Sequence, residues 1–181
     1  MPNKPWTALY EDRHSLQIPE ISLYSLLETT AQRYPDRIAV IFNDHPITYS
    51  QLKKQIDNLA GAWKRHGFQK GERIGLAIAN HPNYIVCYYA ALSLGLIVVQ
   101  INPMYTEREL LQVARDSRLN YIVGDGLSRD TIDSVMKEYA FSGFYYSDCD
   151  FAKGTERCVE TLSEIPLPIE CAAPVSARED V

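Results

Sequence analysis

Two stretches of this sequence carry residues whose types and spacing suit ligand binding. The first is Asn102-Pro103-Met104-Tyr105, which directly follows the apolar run 96–101. Such a run predicts a strand, and ligands of doubly wound sheets bind outside the carboxyl ends of the parallel strands. These four residues are therefore a candidate binding loop. A turn that is set only by backbone geometry is the alternative interpretation.

The second stretch is Lys64-Arg65-His66, with Lys70 and Arg73 close by in the sequence. A cluster of several positive side chains such as this one can bind the phosphate groups of a ligand. They also stand at the end of a predicted helix, where cations offset the negative end of the helix dipole. The sequence leaves both interpretations open.

The remaining polar candidates are weaker. His81 precedes a predicted helix, and we interpret it as a cap or surface residue, with a ligand contact as the alternative. Gly124-Asp125-Gly126 lacks the third glycine and the acidic partner of a dinucleotide site, so it predicts a turn. The acidic residues are too scattered to form a catalytic carboxylate pair: Glu28, Glu72, Asp116 and Asp125.

The four cysteines are irregularly spaced, at positions 87, 149, 158 and 171, without a Cys-X-X-Cys pair or a nearby histidine at metal-ligand spacing. We therefore predict no metal site. The pattern is typical of reduced thiols in a cytoplasmic protein, and each cysteine is interpreted as a small hydrophobic residue rather than a nucleophile.

Composition narrows the class of protein further. The chain has 181 residues, 46% of them hydrophobic and 23% charged, as expected of an ordinary globular domain. Its formal net charge of −5 argues against a nucleic-acid-binding protein, which needs a basic face. The first residues lack the apolar core of a secretory signal. The longest apolar run, 84–99, is shorter than the roughly 20 residues of a spanning helix and predicts a buried helix followed by a buried strand.

Helical and strand patterns alternate along most of the chain. Ser22 is a predicted N-cap, the residues 43–46 predict the turn of a β-hairpin, and Gly67 and Gly95 predict helix ends. Thr106 and Glu109 predict a capping box. Helices are predicted over 23–34, 50–66, 84–94, 107–117 and 128–139, and strands over 38–42, 47–49, 73–79, 96–101, 119–123 and 144–146. The alternation predicts an α/β fold with a mostly parallel sheet and helices on both faces.

The stretch 92–117 reads LSLGLIVVQINPMYTERELLQVARDS, a strand that ends in Asn-Pro-X-Tyr-Thr-X-X-Glu-Leu. In this it resembles the AMP-forming acyl-CoA synthetases, and among them the medium- and long-chain fatty-acid ligases. Amino-acid-activating relatives end the equivalent strand in Pro-hydrophobic-Asp, so Asn102-Pro103 favours an acyl-CoA ligase. Further segments stand in the expected order, to at least Ile122: Pro5-Trp6, Ser25 to Asp36, Ile47 to Leu52 and Lys70 to Ile74.

The resemblance implies the N-terminal subdomain of an adenylate-forming enzyme. The full-length ligase would use ATP and Mg²⁺ to convert a fatty acid into acyl-AMP and then transfer the acyl group to CoA. In the family, the loop that matches Asn102, Pro103, Met104 and Tyr105 approaches the CoA channel, and Lys64-Arg65-His66 would then be a patch for the CoA phosphates.

The family's catalytic motifs do not occur in this sequence. They are a Ser/Thr/Gly-rich phosphate loop followed by lysine, an aromatic and Thr-Glu motif, an Asp that holds the ribose, and a C-terminal lysine. We therefore expect a fragment cut upstream of those motifs, inactive alone and binding no cofactor tightly. The alternatives are a stand-alone, catalytically dead binding module and an aryl- or aminoacyl-adenylating relative.

The predicted organisation has three parts: an N-terminal extension over 1–20, an α/β subdomain over 21–146, and an irregular segment over 147–181 that leads toward the missing phosphate loop. Because the sheet lacks its later strands, we expect exposed apolar surface or self-association through an open edge, which includes a homodimer. A fatty-acid substrate also makes peripheral membrane association an expectation. We expect no nucleic-acid partner.

Overall fold

The structure, a computed structural model, describes residues 20–146. Nearly all of the predicted N-terminal extension and the whole of 147–181 lie outside this range, as do Cys149, Cys158 and Cys171. The helices are α1 (Leu23–Arg33), α2 (Tyr49–Arg65), α3 (Pro82–Ser93), α4 (Glu107–Ser117) and α5 (Arg129–Val135). The strands are β1 (Ile38–Phe42), β2 (His45–Thr48), β3 (Arg73–Ala77), β4 (Ile97–Gln100), β5 (Tyr121–Gly124) and β6 (Gly143–Tyr146).

The larger sheet has four strands in the order β4-β3-β5-β6, and every neighbouring pair is parallel. A separate antiparallel hairpin joins β1 to β2. One core packs α1, α2, α3 and the hairpin against the sheet, and a second core packs α4 and α5 against it. The predicted α/β fold, with a parallel sheet covered on both faces, is confirmed. None of the helices between residues 20 and 146 is long and apolar enough to cross a bilayer.

Side-chain caps start α1 and α4 where the sequence predicts them, and α2 begins with a capping box that was not among the predictions. Ser22 Oγ accepts a hydrogen bond from the backbone N–H of Ser25 at 3.0 Å, which fixes the start of α1. Thr48 and Gln51 form a capping box on α2, and Thr106 and Glu109 form another on α4. Each box satisfies two backbone N–H groups that have no partner inside the helix.

The first core is built around Trp63 of α2. Its ring stacks on Phe68 with the ring centroids 5.3 Å apart, and Phe68 stacks on Tyr121 of β5 at 3.7 Å. Ile74 and Leu76 of β3 are fully buried in the same core. Cys87 of α3 is buried in the same core, and burial raises the pKa of its thiol to about 12. Cys87 is therefore a packing residue, as the sequence predicts.

The second core lies on the opposite face of the sheet. It contains Ala77, Ile122, Leu110 of α4 and Ile132 of α5, all at most 2% exposed. Gly75 of β3 faces this core, where an added Cβ would lie 2.7 Å from the Cδ1 atom of Ile101. The absence of a side chain at Gly75 lets the second core close directly on the central strand.

One prediction about β4 is wrong. The sequence predicts a strand buried on both faces, whereas β4 is an edge strand and Ile97 is 43% exposed. A short apolar run indicates that the faces of a strand are buried, but it does not indicate whether the strand pairs with other strands along both of its edges. Ile21, Leu23, Leu26, Ile38 and Ile41 are also exposed hydrophobic residues of the described part.

Element boundaries differ from the predictions by a few residues. α3 begins two residues earlier than predicted, because Pro82 at the first helical position fits the fixed φ of proline. β3 ends at Ala77 rather than residue 79, and α5 ends at Val135 rather than residue 139. In both places the chain leaves the regular pattern in loops that make side-chain hydrogen bonds of their own.

Gly95 provides a test of the turn between α3 and β4. Its φ is +70°, and an added Cβ would lie 2.8 Å from Cγ of Lys70. We expect Gly95→Ala to lower the free energy of unfolding by about 2 kcal/mol, from backbone strain and from displacement of Lys70.

The matched control is Gly67→Ala, because Gly67 has a φ of +89° and open space around it. It should cost about 1 kcal/mol, the strain contribution alone. Urea unfolding followed by far-UV circular dichroism measures both variants, and equal losses would contradict the contact with Lys70.

Candidate functional site

Three loops meet at the carboxyl edge of the parallel sheet. They follow β3, β4 and β5 and comprise residues 78–81, 101–106 and 125–128. β3 lies between β4 and β5, so its loop lies between the other two. This edge is where ligands of doubly wound sheets bind.

The Asn102 loop lies at this edge, as the sequence predicts. Asn102 Oδ1 accepts a hydrogen bond from the N–H of Met104 at 3.0 Å, and the carbonyl oxygen of Asn102 accepts one from the N–H of Tyr105 at 3.0 Å. Met104 is 75% exposed, whereas Tyr105 packs against the second core. Asn102 and Tyr105 therefore stabilise the turn, and Met104 is an apolar side chain that the loop exposes.

Asp125 and Ser128 join the β3 and β5 loops. Asp125 Oδ2 accepts from the N–H of Ala79 at 2.7 Å, and its Oδ1 accepts from the N–H groups of Leu127 and Ser128 at 3.0 and 3.2 Å. The Oγ atom of Ser128, a residue only 2% exposed, donates to the carbonyl oxygen of Ala77 at 2.7 Å. We call these two side chains the β3–β5 clamp.

The clamp occupies the crevice where a doubly wound sheet normally receives a nucleotide. β3 connects to β4 on one side, and the chain returns to β5 on the other side, so the point between β3 and β5 is the topological switch point. The backbone N–H groups there are already bonded to Asp125. Between residues 20 and 146, moreover, no three His, Cys, Asp or Glu side chains are grouped closely enough to hold a metal ion. The described residues do not fit ATP with Mg²⁺ at this position.

His81 caps α3, so the favoured interpretation of this residue is confirmed. Its Nδ1 atom accepts a hydrogen bond from the N–H of Asn83 at 3.1 Å, and its ring meets Phe42 edge-on at 5.0 Å between centroids. Burial lowers the pKa of His81 below its usual value, and the charge of Asp125 opposes this shift. The bond to Asn83 requires an unprotonated Nδ1.

The basic stretch Lys64-Arg65-His66 lies at the opposite end of the sheet. It closes α2, and Arg73 begins β3, so these residues belong to the amino edge. Four residues of β3, about 13 Å of extended strand, separate that edge from the Asn102 loop. The two stretches that the sequence offers as ligand-binding candidates do not contribute to one site.

A third polar group, between α1 and α2, is missed by sequence reasoning. Lys53 Nζ lies 2.7 Å from Asp57 Oδ2 and 3.5 Å from Glu28 Oε1, and the hydroxyl of Tyr24 donates to Asp57 Oδ1 at 3.0 Å. Burial raises the pKa of Tyr24 to about 12, against the opposing effect of Lys53. Although burial disfavours the charged form of Lys53, its bonds to Asp57 and Tyr24 raise its pKa.

A groove of about 310 Å³ lies between the two helices and is bordered by Glu28, Lys53 and Asp57 of this cluster. Asn58 also lines the groove, and its Oδ1 atom is buried without a donor among the described residues. The spacing of Lys53 and Asp57 by four residues is the only signal of the cluster in the sequence. Because Lys53 of α2 lies within 3.5 Å of Glu28 of α1, and Tyr24 of α1 donates to Asp57 of α2, the cluster ties α1 to α2.

The fold is that of the N-terminal subdomain of adenylate-forming enzymes. The chain belongs to the AMP-binding enzyme family, whose sequence profile matches residues 27–161. The chain is 37% identical over 122 residues to a long-chain-fatty-acid–CoA ligase of Bacillus subtilis, a match that covers 66% of this chain and 22% of that protein. It is 36% identical over 91 residues to a mitochondrial medium-chain acyl-CoA ligase of Homo sapiens, over 49% of this chain and 15% of that protein.

Two solved structures share the fold. A long-chain-fatty-acid-CoA ligase from Archaeoglobus fulgidus matches with a TM-score of 0.80 and 23% identity, over 92% of this chain and 34% of that one. The N-terminal subdomain of NpsA from Klebsiella oxytoca, in complex with anthranilyl-AMSN, matches with a TM-score of 0.68 and 22% identity, over 90% of this chain and 37% of that one. The chain thus spans about a fifth of the Bacillus subtilis relative and about a third of these structures.

The clamp generates a prediction about stability. We expect Asp125→Asn to lower the free energy of unfolding by about 1.5–3 kcal/mol. The two carboxylate oxygens of Asp125 together accept hydrogen bonds from three backbone N–H groups, whereas the amide of asparagine has only one acceptor oxygen. The control is Asp130→Asn, an equal charge change at an exposed site in the first turn of α5, which should cost less than about 1 kcal/mol. Urea unfolding provides the comparison, and equal losses would contradict the role of the clamp.

A second prediction concerns pH. Because the pKa of His81 is lower in the folded chain than its ordinary value of 6.5, the unfolded chain binds protons more readily, and stability falls as the pH drops below 6.5. His81→Asn keeps a cap for α3 and does not titrate. We expect the variant to lose less stability than the wild type between about pH 7 and pH 5, measured by urea unfolding. Parallel pH profiles would refute this.

Proposed function

We propose that this chain forms the N-terminal portion of a medium- or long-chain fatty-acid CoA ligase. The full enzyme would activate a fatty acid with ATP and Mg²⁺ to acyl-AMP and then transfer the acyl group to CoA. The observation that carries the proposal is the unit of β4, the Asn102 loop and the capped α4. Its sequence pattern resembles that of fatty-acid ligases, and its backbone forms the strand, turn and capped helix that the pattern predicts. The sequence similarity to ligases of Bacillus subtilis and Homo sapiens supports it.

The same proposal assigns a scaffold role to the described residues. With the crevice at β3 and β5 closed by the clamp, adenylation would depend on residues outside the described part. The 181-residue chain alone should therefore neither release pyrophosphate nor form acyl-AMP. Our proposal for the Asn102 loop is that Met104, an apolar side chain that is 75% exposed, lies along the path of CoA in the full enzyme.

The test compares the 181-residue chain with the longer product, the full-length protein that the proposal expects the gene to encode. Both are given ATP, Mg²⁺, CoA and a series of fatty acids of increasing length, with benzoate and anthranilate as aryl substrates. Pyrophosphate release and acyl-CoA formation are measured. We expect activity with fatty acids in the longer product and no activity in the shorter chain.

The other outcomes decide against the proposal in distinct ways. Activity with the aryl acids alone would identify an aryl-adenylating relative. No longer product, or no activity in it, would favour a stand-alone binding module, and activity of the 181-residue chain would refute its scaffold role.

Met104 is tested in the same longer product. We expect Met104→Asp to raise the KM for CoA while leaving acyl-AMP formation unchanged, because a carboxylate would repel the phosphates of CoA. Leu127→Asp is the matched control, since Leu127 is an exposed residue of the β5 loop, which the β3 loop separates from the Asn102 loop. Equal effects of both substitutions on the KM for CoA would contradict a specific role for the Asn102 loop.

A further inference from the structure

β4 lies at one end of the strand order, and one side of its backbone pairs with no strand between residues 20 and 146. The other side pairs with β3, where the N–H of Ile97 donates to the carbonyl oxygen of Glu72 at 2.9 Å. Because backbone groups alternate in direction along a strand, the N–H and C=O groups of Val98 and Gln100 point to the open side. β4 therefore offers hydrogen-bond donors and acceptors to a further strand.

The open side of β4 lacks the features that prevent pairing at the edges of natural sheets, namely charged side chains, proline or a β-bulge. Its residues are Ile-Val-Val-Gln, and its register with β3 is unbroken over all four. The hairpin differs, because β2 contains Pro46 and a bulge between Ile38 and Val40 interrupts its pairing with β1. Ile97 of β4 is also 43% exposed. The structure thus leaves β4 suited to accept a partner strand.

The charges at the two ends of the strands indicate what that partner is. The amino edge of the sheet is rich in basic residues, which lie at the ends of α2 and α4 and in loops that lead into the strands. The acidic residues there are Glu72, Asp116 and Glu138. The basic residues outnumber them more than two to one: Lys64, Arg65, Lys70, Arg73, Arg115, Arg118 and Lys137.

The carboxyl edge has the reverse charge. Near the starts of α4 and α5, acidic residues outnumber the basic residues Arg108 and Arg129: Glu107, Glu109, Asp125 and Asp130. The subdomain is therefore electrically polarised along its strands.

This polarity favours one way of pairing two copies of the chain. A parallel pairing through β4 would place the two basic amino edges side by side. An antiparallel pairing about a twofold axis would place the basic edge of each copy beside the acidic edge of the other, and the axis makes this contact twice. Each copy has a formal net charge of −5, so the copies repel each other at long range, and the attraction is confined to the paired edges.

We propose that β4 pairs antiparallel with β4 of a second copy of this chain, so that the two parallel sheets join into one continuous sheet. Ile97 would then lie opposite Gln100 of the second copy. Two strands of four residues make a small contact, so the dimer should be weak, with a dissociation constant in the micromolar range. The pairing is separate from the proposed ligase function, since it is measured as a mass and needs no activity.

The first test is sedimentation velocity of the 181-residue chain over a wide range of concentration, at low salt. We expect a reversible change from monomer to dimer as the concentration rises. A monomer at every concentration, or growth beyond the dimer, would overturn the proposal.

A substitution on the open side of β4 locates the contact. Ile97→Lys should weaken the dimer about tenfold, because lysine blocks pairing at an edge and the twofold axis repeats the loss. The matched control is Ile41→Lys, the same change at a 67% exposed isoleucine of β1, which should leave the dissociation constant unchanged. Equal weakening by the two substitutions would contradict pairing through β4.

A charge exchange tests the antiparallel direction. Lys70 packs against Gly95 just before β4, and Glu107 is an exposed residue that begins α4 just after it. Lys70→Glu and Glu107→Lys should each weaken the dimer, because each places like charges beside one another. The double variant should recover most of the wild-type affinity, since the opposite charges are exchanged and the net charge is unchanged.

The single variant Glu107→Lys separates local complementarity from net charge. It makes the chain less negative, so control of association by net charge alone would strengthen the dimer. A stronger dimer in this variant, or no recovery in the double variant, would overturn the proposal. Thermal unfolding by circular dichroism confirms that each variant is folded, and Ile97→Thr, which keeps a β-branched residue, replaces Ile97→Lys if that variant unfolds.

Discussion

The structure depends on β3, the strand on which both hydrophobic cores close. Its alternating side chains place Ile74 and Leu76 in the first core and Ala77 in the second, and all three are at most 1% exposed. β3 also hydrogen-bonds to strands on both sides, β4 and β5. Because each large buried side chain contributes about 1.5–3 kcal/mol, the helices on both faces depend on this strand for much of their attachment.

The same strand separates the molecule into two chemically different ends. Its carboxyl end leads into the clamp made by Asp125 and Ser128, where backbone N–H groups that are free for phosphates in nucleotide-binding folds are already bonded. Its amino end lies among the basic helix ends and loops. The subdomain therefore has a closed crevice at one end and a charged surface at the other.

Several local features could be predicted from the sequence because their causes are local. The cap at Ser22, the capping box at Thr106, the positive φ of Gly95 and the cap provided by His81 each depend on residues within a few positions of one another. Sequence periodicity also predicted the alternation of strands and helices. The edge position of β4 was missed, because an apolar run gives no indication of which strand will pair with it.

The sequence by itself determined the family, the α/β class, the starts of α1 and α4 and the Asn102 turn. Only the tertiary structure decided which distant residues meet: Asp125 with Ala79, and Tyr24 with Asp57. It also decided that the Asn102 loop and the Lys64 stretch lie at opposite ends of the sheet. The physical reason is strand order, since the sequence determines where each strand begins and ends, whereas non-local pairing and packing determine which ends become neighbours.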